Sequence, residues 1–225
     1  MEYRLRSIIS PAWICSYESL SDFRRSTSTL AGSFERTGRT QRVAADCEAA
    51  TTGINLTRDV KMQADELIFL REAIRLAKEA EQKGNLPIGA VIVLDGQIIA
   101  RGMNAIWQPA IELTRHAEIE SLRSLPPNLL ASCAEMTLFT TLEPCLMCAG
   151  AILLHQIGGV VFGSSDPNGG VASCLHCLPP YFKHAYEAIR WIGPALPAEC
   201  DPLYVRVQEL ERRRNQDSIS FSANA

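Results

Sequence analysis

The sequence predicts an α/β fold, a three-layer α/β/α sandwich around a mixed five-stranded sheet. Three observations carry this prediction: helical spacing of apolar residues near residue 67, an Asp-Gly turn between two apolar runs, and a later alternation of strand and helix patterns. Such an alternation is typical of helices packed on both faces of a sheet. The fold is expected to occupy residues 62–214.

Length and composition are those of an ordinary globular protein. The chain has 225 residues, of which 47% are hydrophobic and 21% charged, and its net charge is −3. These values exclude collagen-like, coiled-coil and wholly disordered classes. No apolar run approaches the ~18 residues of a membrane span, so no membrane partner is expected. The negative charge provides no global field that would attract a polyanion, and nucleic acid would need a local basic patch.

Residues 1–61 lack a sustained helical or strand period and are rich in serine, threonine and arginine. They are expected to be either a disordered N-terminal extension or a mis-assigned start, with translation beginning at Met62. Their Ser and Arg content also resembles that of an organellar transit peptide, but Glu2, Glu18 and Asp22 count against targeting. A cytoplasmic location is therefore expected. The remaining chain, 62–225, has 13 basic and 18 acidic residues, a net charge of −5.

The ordered part begins with a helix and a hairpin. Apolar residues recur at helical spacing over 67–81, and Gly84-Asn85 marks a helix end. The apolar runs 87–94 and 97–100 flank Asp95-Gly96, a turn pair that strongly indicates a hairpin. These runs are the first two predicted strands.

The later elements alternate in type. A helix is predicted from near His116 until Pro126-Pro127 stops it, followed by a strand at 136–141, a helix at 144–156 and a strand at 159–163. Weaker patterns predict a short helix near 175–184, a strand at 188–192, a terminal helix from 197 to about 214 and a disordered tail over 215–225.

Two of these predicted helices begin with metal-binding residue types. His116-Ala117-Glu118 opens one, and Pro144-Cys145-Leu146-Met147-Cys148 opens the next. Cysteines at i and i+3 of a helix present their sulfurs on one face. With His116 they form a three-ligand set that suits zinc and leaves the fourth tetrahedral position open for water. Each set lies at a helix N-terminus, where the dipole favours thiolate over thiol.

Glu118 has a different role from these ligands. It is two residues from His116, which is the wrong spacing for a second ligand on the same helix face. Beside the open coordination position it can instead take a proton and hand it on. General acid–base catalysis of this kind contributes about 10² to 10⁴ in rate.

The motif H-A-E followed by P-C-x-x-C, at the starts of two helices, resembles the signature of zinc nucleobase deaminases. The chain is similar over about residues 62–214 to the cytidine and deoxycytidylate deaminase superfamily. Within it, the similarity is to the branch of tRNA-specific adenosine deaminases, guanine deaminases and nucleoside deaminases. Besides the double motif, it covers 86–91, Asn104, 141–152 and 160–163.

The resemblance implies a cytidine deaminase-like fold and an assignment of site residues. His116, Cys145 and Cys148 would bind one Zn²⁺ per chain, Glu118 would be the catalytic proton shuttle, and Asn104 would contact the substrate. The implied reaction is hydrolytic: an exocyclic amine of a nucleobase becomes a carbonyl and ammonia is released. Relatives are commonly homodimers, so a homodimer is expected.

Departures from the tRNA enzymes bear on the substrate. Those enzymes usually carry Asp-Pro-Thr-Ala before the histidine, where this chain has Glu112-Leu113-Thr114-Arg115. They commonly carry an arginine at each of two later positions, occupied here by Gln156 and Gly159. A protein that grips tRNA must neutralise several phosphates. A free nucleobase or nucleoside is therefore the expected substrate, and adenosine at the wobble position of tRNA is the alternative, which the basic run 212–214 favours.

Two non-enzymatic interpretations remain open. A structural zinc or interaction module would close the metal site with a fourth protein ligand, which the segment 174–177 could supply. An inactive RNA-binding subunit would be expected to have lost Glu118, which is present. Trp107, in the loop before His116, either stacks on a base or caps the pocket.

Overall fold

The computed structural model describes residues 66–223. The N-terminal segment 1–61, with its predicted disorder and its alternative start at Met62, lies outside the described residues. None of the helices in the described part combines the length and the apolar character needed to span a bilayer.

Five strands form one mixed sheet, as the sequence predicts. They are β1 (Gly89–Leu94), β2 (Gln97–Met103), β3 (Thr137–Leu142), β4 (Gly159–Ser164) and β5 (Arg190–Ile192), in the spatial order β2-β1-β3-β4-β5. β1 pairs antiparallel with β2 and β3, whereas β4 pairs parallel with β3 and β5.

In the described residues, five α-helices accompany the sheet. They are α1 (Leu67–Gln82), α2 (Ala117–Arg123), α3 (Leu146–Leu154), α4 (Pro180–Ala188) and α5 (Pro197–Ala223), with 3₁₀ helices at Pro127–Glu135 and Val171–Cys177. Apolar residues of α1 pack on the sheet face that carries Val91, Phe139 and Val161. Apolar residues of α2, α3 and α4 pack on the opposite face, with Ile92, Leu138 and Val160. The predicted α/β/α sandwich is confirmed.

Local signals in the sequence explain the first three elements. α1 buries Leu70, Ile74 and Ala77 at the predicted spacing, and the chain leaves the helix through Gly84 at φ +79°. The turn between β1 and β2 places Asp95 at φ 49° and Gly96 at φ 71°. Positive φ at both central residues is what a two-residue hairpin needs, so the Asp-Gly prediction is confirmed.

Element boundaries differ from the prediction in three places. Helix α3 begins at Leu146 with Cys145 as its N-cap, two residues later than predicted, because Cys145 is still extended at ψ 172°. The helix predicted at 175–184 is two elements, since Pro179-Pro180 ends the 3₁₀ helix and starts α4. Helix α5 continues past its predicted end near 214 to Ala223, because no proline or glycine follows Pro202.

The sheet order brings several chain segments together at one edge of the sheet, the one formed by the carboxyl ends of β3 and β4. The parallel strands β3 and β4 end at this edge, and the antiparallel β1 begins there. The residue after β2 is also held there, because the Asn104 amide donates to the Ile88 carbonyl over 3.0 Å. Ligands of open α/β sheets commonly bind outside the carboxyl ends of the strands.

Candidate metal centre and substrate pocket

Three side chains from two helix starts meet at this edge. His116 is the N-cap of α2, Cys145 is the N-cap of α3, and Cys148 lies in the first turn of α3. The His116 Nδ1 atom is 3.7 Å from the Cys145 Sγ and 3.6 Å from the Cys148 Sγ. All three donor atoms lie within 4.8 Å of one another. The structure therefore brings together the three predicted metal ligands.

The donor set fits zinc. Ideal Zn–N and Zn–S bonds at a tetrahedral angle would separate nitrogen from sulfur by about 3.6 Å, close to the two observed distances. Within residues 66–223, the group contains three donors and no fourth histidine, cysteine or carboxylate. A closed structural site would need that fourth donor, so the geometry favours a centre with one open position.

Hydrogen bonding at the centre gives the two cysteine thiols very different pKa values. The pKa of Cys145 falls to about 4, because Cys148 and His116 hydrogen-bond to its sulfur and outweigh the opposing effect of burial. The pKa of Cys148 is raised by the same hydrogen bond to Cys145 and by burial. The pKa of His116 is raised chiefly by its hydrogen bond to Cys145. These shifts place one thiolate in the group, at Cys145, and keep Cys148 as the thiol that hydrogen-bonds to it.

Glu118 is buried beside these ligands and is not one of them. Its residue is 3% exposed. The Thr140 hydroxyl donates to its Oε1 atom over 3.1 Å, and the Cys148 Sγ lies 3.5 Å from its Oε2 atom. Burial raises the pKa of this carboxyl above its usual value, opposed by hydrogen bonds and by His116. One oxygen is thus fixed by Thr140 and the other faces the metal centre.

Asn104 contributes an unused donor to the same site. It is fully buried, and its Oδ1 atom accepts a hydrogen bond from the Ile106 amide over 3.3 Å. Its Nδ2 atom has no partner within the described structure. Because unpaired buried polar groups are costly, this donor points to a ligand that presents an acceptor.

These residues line one cavity of about 300 Å³. Its wall combines apolar side chains from the sheet edge with polar ones from the loop after β4 and from α5. The lining residues are Leu86, Ile88, Asn104, Ile106, His116, Glu118, Leu142, Glu143, Cys145, Asp166, Asn168, Gly169, Tyr204, Val207, Gln208 and Glu211. A space of this size is at the lower end for small-molecule sites.

Sequence reasoning missed one whole wall of this cavity. Asp166 and Asn168 follow β4 at its carboxyl end. Binding sites of α/β sheets commonly lie at this end of the strands, so their position in the sequence could have identified them. Glu143 stands immediately before Pro144-Cys145 in the motif itself. The α5 residues Tyr204 and Glu211 carried no local signal, because only the tertiary structure brings that helix over the pocket.

Trp107, predicted either to stack on a base or to cap the pocket, lies beside the pocket in the described structure. Its ring packs on the apolar cluster around Leu86 and Ile106, and it is absent from the cavity lining. The Arg214 guanidinium lies 4.7 Å from the centre of its ring. This cation–π contact ties α5 to the loop before His116. It also engages one of the three arginines of the basic run.

Comparisons with known proteins agree with this geometry. The sequence model of one protein family, the cytidine and deoxycytidylate deaminase zinc-binding region, matches residues 63–164. A tRNA-specific adenosine deaminase of Bacillus subtilis is 41% identical over 145 residues, which is 62% of this chain and 85% of the relative. A tRNA-specific adenosine deaminase of Streptococcus pyogenes is 38% identical over 158 residues, 67% of this chain and 96% of the relative.

Solved structures give the same result for the fold. A structure from work on A-to-I editing by tRNA:A34 deaminases at the wobble position of transfer RNA superimposes with a TM-score of 0.52. It is 30% identical in sequence and covers 61% of this chain and 99% of its own.

Proposed function

This chain belongs to the cytidine and deoxycytidylate deaminase family of zinc-dependent hydrolytic deaminases, and we propose that residues 62–214 form its deaminase domain. The observation that carries the proposal is the meeting of His116, Cys145 and Cys148 beside the buried Glu118. The reaction consumes water: the exocyclic C–N bond of a nucleobase breaks, a carbonyl forms at that carbon, and ammonia leaves.

His116, Cys145 and Cys148 would hold the zinc. When bound, zinc supplies a Lewis acid that lowers the pKa of water to about 7. The protein contributes the rest: the N-terminus of α3, where the helix dipole favours thiolate, and the Glu118 carboxylate beside the centre.

Glu118 would move protons through its Oε2 atom. Thr140 holds the other carboxylate oxygen at 3.1 Å, so the side chain cannot turn away from the centre. From this position Glu118 would carry one proton of the attacking water to the ring nitrogen, and then the second, from the hydroxyl group added to the ring carbon, to the departing amine. Asn104 would orient the base, because it lines the cavity and its Nδ2 donor has no partner in the described structure.

A free nucleobase or nucleoside is the substrate class that the cavity favours. Carboxylates of Glu118, Glu143, Asp166 and Glu211 line it, whereas none of its described lining residues is a lysine or arginine. Burial and the charge of Asp166 raise the pKa of Glu211, which indicates how crowded the negative groups are at the α5 side. Such a wall repels phosphate and accepts hydrogen bonds from neutral donors.

The tRNA wobble adenosine is the second candidate, and one specific observation favours it. The relatives that match over 85% and 96% of their own length are both named tRNA-specific adenosine deaminases. An enzyme of that kind must admit a flipped base while it holds the flanking nucleotides.

One experiment separates the candidates. Ammonia release is measured with guanine, cytosine, adenosine and cytidine, and inosine formation is measured with a transcribed tRNA at moderate salt. Turnover of a free compound at a higher kcat/KM than tRNA supports the first candidate. Efficient editing of tRNA with no turnover of any free compound replaces it by the second.

A homodimer is proposed from the exposed face of α3. Leu146 is 59% exposed, Leu154 is 49% exposed, and Met147 is also exposed beside them. This apolar stripe lies on the helix that carries Cys148, and contiguous exposed apolar surface marks interaction sites. Sedimentation of the wild type and of Leu146→Asp/Leu154→Asp tests the proposal: a dimer that becomes a monomer supports it, and a monomeric wild type contradicts it.

A cytoplasmic location is proposed from the cysteine chemistry. Among the cysteines of the described part, Cys133, Cys145, Cys148, Cys174 and Cys200 are free thiols. Two of them would need to remain thiolate ligands, which a reducing compartment favours. Cell fractionation tests the location.

The proposed domain boundary has its own test. A chain beginning at Met62 that folds and reacts like the full chain would support this boundary.

A further inference from the structure

Glu143 is a buried carboxylate at the pocket that the proposed chemistry does not use. It follows the last residue of β3, is 5% exposed, and precedes the turn that carries the ligand Cys145. Its described hydrogen-bond donors are two backbone amides. The Asp166 amide donates to its Oε2 atom over 3.0 Å, and the Ala172 amide donates to its Oε1 atom over 2.8 Å.

Both donors belong to one segment, residues 165–172, which we name the glycine loop. Two further contacts hold this loop against the metal-ligand turn: the Val171 amide donates to the Pro144 carbonyl over 3.0 Å, and Cys145 and Gly170 form a β-bridge. A Cβ atom on Gly170 would lie 2.4 Å from the Glu143 Cδ atom. The carboxylate therefore fills the space under the loop completely.

The glycine loop in turn builds the pocket wall. It supplies Asp166, Asn168 and Gly169 to the cavity lining. The Asp166 Oδ1 atom accepts from the Asn168 amide at 3.0 Å, from the Gly169 amide at 3.0 Å and from the Tyr204 hydroxyl at 2.8 Å. Since Tyr204 belongs to α5, the position of the loop also sets that of the helix covering the pocket.

We propose that Glu143 is a positioning residue for substrate binding: its carboxylate fixes the glycine loop against the metal-ligand turn and so holds the polar wall of the pocket in place. Both of its oxygens accept from the loop, so it acts through the loop and not on the reacting atoms. Charged acceptors form stronger hydrogen bonds with backbone amides than neutral ones do. The inference goes beyond the proposed chemistry and does not depend on which base is deaminated.

Glu143→Gln is the direct test, because the side chain keeps its size while one acceptor oxygen becomes an amide donor facing a backbone N–H. Glu135→Gln, at an exposed carboxylate of the 3₁₀ helix, is the matched control. Exchange of the Asp166 and Ala172 amides, followed by NMR, should become about tenfold faster or more in Glu143→Gln, as expected for loss of a charge-assisted bond. The control should exchange like the wild type.

Kinetics and metal content complete the test, using whichever of guanine, adenosine and cytidine the wild type turns over fastest. In Glu143→Gln, KM should rise about tenfold while kcat falls less than about threefold, because the wall binds substrate and the proton shuttle is untouched. Zinc should remain at one per chain. Unchanged exchange, loss of zinc, or a fall in kcat with constant KM would overturn the proposal.

Gly170→Ala provides an independent route if Glu143→Gln does not fold. This substitution keeps the carboxylate of Glu143 but displaces the loop from it. Faster exchange of the Asp166 and Ala172 amides and a higher KM are again expected. Wild-type exchange rates together with a wild-type KM would refute the role of the loop. If the wild type turns over none of the three compounds, the proposed small substrate fails, while the exchange measurements still decide the role of Glu143.

Discussion

Helix α1 and the helix pair α2–α3 pack on opposite faces of one sheet, yet they place their charged groups in opposite ways. On α1 the charges face water and pair with one another: Arg75 with Glu72 at 2.9 Å and with Glu79 at 3.0 Å, and Lys83 with Glu79 at 2.7 Å. At the starts of α2 and α3, Glu118 and Cys148 are instead buried around the metal centre.

This difference means that the α1 layer contributes mainly to stability, whereas the α2–α3 layer carries the residues of the proposed reaction. The α1 layer is held by the burial of apolar side chains such as Leu70 and Leu76, and its surface ion pairs add little because water screens them. The α2–α3 layer contains buried polar groups, and a bound cation would offset much of the free-energy cost of burying them. Substitutions in the two layers should therefore fail in different ways.

The largest effect is expected at a metal ligand. Cys145→Ala should lose the zinc, all turnover, and about 10 °C or more of Tm, because metal affinity at such a site is also folding energy. Metal analysis and thermal unfolding measure both losses. A variant that kept its metal and its Tm would show that Cys145 is not a ligand.

The next effect should be confined to chemistry. Glu118→Ala should lose about 10² to 10⁴ in rate, the contribution of a general acid–base group. Its zinc content should stay at that of the wild type, since Glu118 lies outside the three-donor set. Steady-state ammonia release and metal analysis test the pair of outcomes, and a rate above roughly a tenth of the wild type would rule out the proton shuttle.

A substitution in the α1 layer should change stability without touching the site. The Cβ atom of Gly89→Ala would lie 2.1 Å from the Ala73 carbonyl oxygen and 2.7 Å from the Ala77 nitrogen, both helix backbone atoms. The helix must move away, at a cost of about 2–3 kcal/mol. Urea unfolding measures the loss.

Gly150→Ala in α3 is the contrasting control. Nothing lies within 4 Å of the added Cβ there. Replacing a helical glycine with alanine should therefore stabilise the protein by about 0.5–1 kcal/mol. Equal destabilisation by both substitutions would mean that the close approach of β1 to α1 does not explain the first.

The smallest effect is expected from the α1 ion pairs. The hydrogen bond from Arg75, with further help from Arg101, lowers the pKa of Glu72 to about 2 from 4.5. A lowered pKa in the folded state gives stability that is present above pH 4.5 and is lost as the pH falls toward 2. Because the partners are exposed, the contribution should not exceed about 1 kcal/mol.

Urea unfolding of the wild type and Glu72→Gln at pH 7 and pH 3 measures this contribution. The wild type should be the more stable of the two at pH 7, and the difference should shrink at pH 3. A difference that grew on acidification would contradict the assigned direction of the pKa shift.

Much of this protein could be predicted from local patterns alone. The spacing of Leu70, Ile74 and Ala77 indicates α1, and Asp95-Gly96 indicates the hairpin, because helical periodicity and turn chemistry depend only on neighbouring residues. The ligands His116, Cys145 and Cys148 and the carboxylate Glu118 were predicted for the same reason. Each stands at the start of a helix, within a motif of three to five residues.

Boundaries were less predictable, since they depend on what packs around them. Cys145 caps α3 instead of lying inside it, because its extended backbone lets Gly170 pair with it as a bridge. Likewise, Glu143 carries no mark in the sequence that distinguishes it from a surface carboxylate. Its burial follows from the glycine loop folding over it.

The sequence by itself determined the metal-binding residues and the helix and strand types, because these follow from short-range spacing and donor chemistry, and its resemblance to known deaminases implied the class of reaction. Only the tertiary structure decided what else lines the pocket: Asp166 from the end of β4 and Tyr204 and Glu211 from α5, which lie 21 to 66 positions beyond Cys145 in the chain. Their meeting depends on β4 pairing beside β3 and on α5 crossing the open edge of the sheet. No local pattern encodes such a long-range approach, which is why the shape and charge of the substrate pocket emerged only from the folded chain.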